Sequence, residues 1–157
     1  MITTFEQIYD QLRSKPKKRL IAAWAVDDHT INAAKLAVEA GIVEATLVGD
    51  EKMIRQVCAH EKIDPSIFRI VPNDDEIKAV AMAVDLINSG EGDILMKGLC
   101  STDKYMRAIL NKEKGLLPPK AVLSHVTVLS NQQYHKLLVL GDIAVIPAPE
   151  KKQKIAI

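Results

Sequence analysis

Two rhythms alternate along the chain. In TTFEQIYDQLRSK, Phe5, Ile8 and Leu12 recur at helical spacing, and Thr3 with Glu6 forms a capping box, which predicts a short amphipathic helix. After Pro16, RLIAAWAV is an apolar run of strand length. Asp27 or Asp28 then caps HTINAAKLAVEA, a helix whose end is marked by Gly41. The pattern repeats: EATLVG is a strand, Asp50 caps EKMIRQVCAHE, FRIV is a strand after the DPS turn, and DDEIKAVAMAVDLINSG is a long helix ended by Gly90. GDILMKG follows as a fourth strand, with DILM expected to be buried. Strands alternating with helices of this length require crossover connections and a mostly parallel sheet covered on both faces, the α/β class.

From Pro118 the pattern changes. KAVLSHVTVL and HKLLVLGD are separated only by SNQQY, too short for a helical crossover, so they predict an antiparallel hairpin at one edge of the sheet. IPAPEKKQKIAI then starts a helix after Pro149, and the chain reads as if cut within that element. The expected organisation is a three-layer αβα domain over residues 1–146, with 147–157 beginning a helix that leads to a second domain, absent here.

Composition narrows the chemistry. The 157 residues, 48% of them hydrophobic, suffice for one domain with a substantial core. Cys58 and Cys100 are too few for a disulfide framework and lack zinc-site spacing, so they read as reduced thiols of a cytoplasmic protein. The N-terminus has no apolar signal segment, and no stretch is apolar enough for a membrane span. A net charge of +1 supplies no field for nucleic-acid binding, so any anion site must be local.

Several fingerprints are missing. There is no Walker A lysine motif. GEGDIL lacks the third glycine of a dinucleotide loop and enters a strand instead of leaving one, and HEKID has no second histidine. No metal-ligand cluster is visible.

The junction LMKGLCSTDKYMR carries the strongest chemical signal. KGLCST should be the loop at the carboxyl end of the fourth strand, where open α/β sheets bind ligands. Ser101 or Thr102 can cap the following helix, whose first turn offers free N–H groups and partial positive charge, and Gly98 lets backbone approach a ligand. Arg107 adds a planar donor suited to phosphate oxygens and Lys97 a point charge. The plainer reading is that Ser101 only caps a helix, Arg107 lies on a solvated face and Lys97 flanks an edge. In the hairpin, Ser124 and His125 occupy adjacent strand positions on opposite faces; His125 is not assigned a catalytic role. Asp142 can hold a ligand hydroxyl or a loop, or simply form a turn. Cys100, near a helix start but with no base partner, reads as a packing residue.

The stretches AAKLAVEAGIVEATLVGDEKMI, GDILMKGLCSTDKYMRAILNKEKGL, VLSHVTVL and HKLLVLGDIAVIPAPEKKQK resemble the phosphate acetyltransferase and phosphate butyryltransferase family, the butyryltransferase branch most closely. The resemblance implies an isocitrate-dehydrogenase-like architecture and reversible acyl transfer between coenzyme A and inorganic phosphate, in a cleft between two α/β domains. The same resemblance implies chemistry without a metal or bound cofactor, coenzyme A as a substrate, acyl-CoA, inorganic phosphate and acyl phosphate as the ligands, and a homo-oligomer as the expected assembly. The resemblance places Gly98, Ser101, Thr102 and Arg107 on the phosphate side, with Arg107 catalytic; Lys97, Ser124 and Asp142 are candidates for a supporting role from their places in the chain alone.

Two departures matter. Family members run to about twice this length, and the resemblance puts the oxyanion-stabilising serine, the thiol-deprotonating aspartate and much of the coenzyme A site in the second half. The chain therefore resembles a first domain, a fragment or a natural truncation, inactive alone. AWAVDD also departs from the Pro-Glu pattern of the acetyltransferase branch, so no ligand role passes to Asp27 or Asp28. The alternatives are a non-catalytic domain binding phosphate or coenzyme A and, by fold analogy only, an enzyme acting on hydroxy-acid phosphates or isocitrate-like substrates.

Overall fold

The computed structural model describes residues 2–146 and 148–157. The chain forms two compact units: Leu12–Leu116, and a second built from both chain ends, Met1–Gln11 with Leu117–Ile157. Helix α1 (Phe5–Arg13) runs across the first boundary. Its cap lies one residue later than the sequence predicts: Gln7 N–H donates to Thr4 Oγ1 at 3.3 Å, and Gln7 Oε1 accepts from Thr3 N–H at 2.7 Å. The capping-box spacing is present in Thr4 and Gln7, so the pair Thr3 and Glu6 is displaced.

The larger unit continues with β1 (Lys18–Ala23), α2 (Asp28–Glu39), β2 (Val43–Gly49), α3 (Glu51–His60), β3 (Phe68–Pro72), α4 (Glu76–Asn88), β4 (Ile94–Lys97) and α5 (Thr102–Ile109). Aspartates start the helices: Asp27 accepts from Thr30 N–H, Asp50 from Lys52 and Met53 N–H, and Asp75 from Lys78 N–H. The four strands are parallel, in the order β3-β2-β1-β4.

Because side chains alternate along a strand, β1 feeds two cores. Leu20 and Ala22 join Leu47 with Ile31 and Ala34 of α2 and Ile54 and Cys58 of α3 on one face. Ile21 and Ala23 join Val48 with Ala79, Val80 and Ala83 of α4 and Cys100 on the other, where Tyr105 and Ala108 of α5 also pack. The result is three layers, α2/α3, sheet and α4/α5, as expected. Ile21, Ile31, Leu47 and Ile54 are wholly buried. Each such side chain contributes about 1.5–3 kcal/mol relative to exposure, so the two cores dominate the unit's stability.

Two expectations need correction. DILM is not fully buried: β4 is an edge strand of the sheet and leaves Ile94 43% exposed, because among the described residues only β1 pairs with it. The hairpin is antiparallel, as expected, but among the described residues its strands are not hydrogen-bonded to this sheet. Strands β5 (Val126–Asn131) and β6 (Tyr134–Gly141) form a two-stranded sheet of their own in the other unit. Asn131 pairs with Tyr134 across a two-residue turn, so the strands close locally on each other. β5 also begins later than expected, leaving Ser124 and His125 outside it, so their assignment to opposite strand faces lapses. A helix follows Pro149, α6 (Lys151–Ala156). The expected boundary at 146/147 adjoins Pro147, which lies outside the described residues.

Candidate functional site

The order β3-β2-β1-β4 has one reversal. From β1 the chain winds outward through β2 to β3, then returns on the other face through α4 to place β4 on the far side of β1. Ligands of open α/β sheets sit at such a reversal, outside the strands' carboxyl ends. Here those ends carry Trp24 to Asp27 after β1 and Gly98 to Ser101 after β4, so the predicted junction occupies the switch point.

The junction is built against β1. Gly98 N–H donates to Ala23 O at 2.9 Å and Leu99 N–H to Trp24 O at 3.0 Å, which extends the ladder beyond β4. A Cβ on Gly98 would lie 2.4 Å from Trp24 O and 2.6 Å from Ala23 O. The missing side chain therefore admits protein backbone, which accounts for the glycine without a ligand. Trp24 takes a φ of 56°, a left-handed conformation unusual for a bulky residue, at this same contact. Cys100 is buried, its Sγ 3.9 Å from Ala23 O, and burial pushes its thiol pKa up; it packs, as expected.

Ser101 resolves the choice of cap. Its Oγ accepts Lys104 N–H at 3.2 Å, and Thr102 is the first helical residue of α5. The hydroxyl proton of Ser101 remains available to donate elsewhere, as do the amides of Thr102 and Asp103, which have no acceptor within the helix. Ser101 N–H donates to Glu76 Oε1 at 3.1 Å, and Glu76 Oε2 pairs with Lys104 Nζ. The Lys104 ammonium, then the Ser101 amide, hold the Glu76 carboxyl below its usual pKa. Tyr105 anchors the helix through its hydroxyl to Leu95 O at 3.2 Å, and burial pushes its pKa up to about 12.

Gly98, Ser101 and Thr102 thus come together at one end of α5. Lys97 ends β4, with its Nζ 3.3 Å from Gly98 O. Arg107 lies further along the helix, 79% exposed, with its Nε 2.8 Å from Asp103 Oδ2. It lines a groove between α4 and α5 with Ile77, Ala81, Asp103, Lys104 and Ala108. Ser124 and Asp142 belong to the other unit. Asp142 Oδ1 accepts the amides of Ala144, Val145 and Ile146, which hold its carboxyl below the usual range, while its buried Oδ2 has no hydrogen-bond partner among the described residues. Its amide donates to His125 O at 2.6 Å, and the turn role is the one observed. No metal-holding group of three or more His, Cys, Asp or Glu occurs among the described residues, and no described helix is long and apolar enough to cross a membrane.

Sequence reasoning missed Glu76. Within DDEIK it looks like an acidic residue at a helix start, and nothing local links it to a loop 25 residues later.

A doubly wound α/β unit with polar donors at its switch point is common to many ligand-binding proteins, and comparison with known proteins narrows the class. The chain belongs to the phosphate acetyl/butaryl transferase family, whose model matches residues 3–80 and 75–157. A phosphate butyryltransferase of Clostridium acetobutylicum is 38% identical over 157 residues, which is 100% of this chain and 52% of that protein. A phosphate acetyltransferase of Rhizobium meliloti is 31% identical, over 93% of this chain and 47% of that protein. The chain therefore spans about half the length of the curated relatives it matches. A phosphotransacetylase from Staphylococcus aureus shares the fold, with a TM-score of 0.73 at 15% identity, covering 94% of this chain and 53% of that one.

Proposed function

We propose that this chain supplies the phosphate side of a phosphate acyltransferase that interconverts acyl-CoA plus inorganic phosphate with acyl phosphate plus coenzyme A. A butyryl or similarly short acyl group is the favoured substrate. One observation carries the reading: the family block MKGLCSTDKYMR folds into a strand end and a capped helix start at the reversal of the sheet. The higher identity to a butyryltransferase than to an acetyltransferase supports the acyl choice.

In this reading the amides of Thr102 and Asp103 and the hydroxyls of Ser101 and Thr102 hold phosphate oxygens, and Arg107 leaves Asp103 to neutralise charge on the transferring group. Lys97, at the end of β4, supports the site from its margin. The thiolate sulfur of coenzyme A attacks the acyl carbonyl carbon and the carbonyl electron pair moves to oxygen. Collapse of that oxyanion re-forms the carbonyl and breaks the bond to phosphate, which leaves with the pair. The thiol proton passes to a base that the family resemblance puts in the second half. Holding a multiply charged anion beside the reacting carbon converts a bimolecular encounter into a positioned one. The step uses no metal and no bound cofactor.

We further propose that the chain is inactive alone, resides in the cytoplasm and forms a homo-oligomer. Exposed Val126 and Val139 on the hairpin support the last. The span of only half the relatives favours one second reading, a non-catalytic domain that senses phosphate or coenzyme A. Isothermal titration of the chain with phosphate, acetyl phosphate and coenzyme A separates them. Half an enzyme binds each weakly; tight binding of any one supports the sensor.

A further inference from the structure

We infer that Glu76 is the positioning residue of the phosphate-side loop, fixing which donors of the α5 start remain open to an incoming anion. The inference rests on the proposed phosphate site. It starts from where the backbone hydrogen bonds of the loop go. On one side β1 takes the amides of Gly98 and Leu99 through Ala23 O and Trp24 O. On the other, α4 takes the Ser101 amide through Glu76 Oε1 at 3.1 Å. The loop is therefore clamped between the sheet and α4 before any ligand arrives, and preorganisation of this kind spares the ordering cost of binding.

The clamp also selects. An α-helix start attracts anions through its unsatisfied amides. At α5 the protein's own carboxylate already uses the Ser101 amide and neutralises the Lys104 ammonium. The groups left are the Thr102 and Asp103 amides and the two hydroxyls, so Glu76 confines phosphate to the side of the helix start turned away from α4. Glu76 needs no ligand contact to do this. Its own helix does not depend on it, because Asp75 caps α4.

Amide-resolved NMR of the whole chain tests the inference in two stages. Without ligand, hydrogen exchange at Ser101 should be slow in the wild type, at least about 10-fold faster in Glu76→Ala, and retained in Glu76→Gln, whose amide oxygen still accepts the bond. Titration with inorganic phosphate should then shift Thr102 and Asp103 in the wild type but leave Ser101 nearly still. In Glu76→Ala, Ser101 should join the shifted set. In Glu76→Gln the wild-type pattern should persist with about 2- to 5-fold tighter binding, since one negative charge is gone and Lys104 is released. Unchanged Ser101 exchange in Glu76→Ala overturns the clamp itself. Loss of Ser101 protection with no phosphate response anywhere in 98–107 overturns the phosphate site, and with it the positioning role, leaving a purely structural cap.

Discussion

Gly98→Ala separates two explanations of one residue: ligand clearance and backbone packing. The added Cβ would meet Trp24 O at 2.4 Å and Ala23 O at 2.6 Å, where ordinary contact begins near 3.4 Å, so backbone must move by about 1 Å. No flexible side chain can absorb this. The movement strains or breaks the bonds from Gly98 to Ala23 and from Leu99 to Trp24. Overpacking costs about 1–3 kcal/mol and each lost hydrogen bond about 1 kcal/mol, giving about 3–5 kcal/mol in all. At about 2–4 °C per kcal/mol for a chain of this size, the melting temperature should fall by at least about 6 °C. Trp24, the single tryptophan, reports the transition by fluorescence, and circular dichroism provides a second probe. Gly41→Ala is the control: its φ is +75° with nothing within 4 Å of the added Cβ, so it should lose only about 1–2 kcal/mol. A Gly98→Ala protein melting within about 2 °C of wild type would refute the packing argument and return Gly98 to ligand clearance.

Other consequences can be measured directly. Arg19 pairs with Asp93 through Nη2 at 2.8 Å and Nε at 3.0 Å, and that contact holds the Asp93 carboxyl well below the usual range. The folded pKa lies below the unfolded value of about 3.9, so the pair's contribution is complete above that pH and is lost as pH falls through the folded pKa. The difference in urea midpoint between wild type and Asp93→Asn should stay flat from about pH 7 to 5 and shrink below about pH 4; a difference that grows with acid contradicts this. Cys58 and Cys100, 0% and 1% exposed, should resist a thiol reagent in the native protein and react together on unfolding. Native labelling of Cys100 at the rate of a free thiol would show that the junction opens.

The alternation of elements was legible because helices and strands differ in period, and the aspartates that start α2, α3 and α4 lie at the helix starts the sequence marks. Where each strand sits was not. DILM reads like a buried strand, yet among the described residues its one neighbour is β1; the hairpin reads like a sheet edge, yet among those residues it pairs only with itself. Such facts are set by tertiary pairing, which leaves no local signature. The site divided the same way. Ser101 as cap followed from residue type, whereas the crowding of Gly98 by β1 and the reach of Glu76 from α4 depend on contacts 74 and 25 residues apart. Arg107 reads from the sequence as a donor for phosphate oxygens, and in the structure its guanidinium rests on Asp103, one turn earlier on the same face.

The central claim, that this chain forms the phosphate wall of an acyltransferase, is tested most directly by joining it to the second half of the Clostridium acetobutylicum relative. Phosphate-dependent release of coenzyme A from butyryl-CoA is then measured with and without Arg107→Ala. The account predicts activity in the joined protein, none in this chain alone, and a loss of about 100-fold or more in kcat/KM for phosphate on removing Arg107. An Arg107→Ala protein with kcat and phosphate KM close to those of its parent would contradict it.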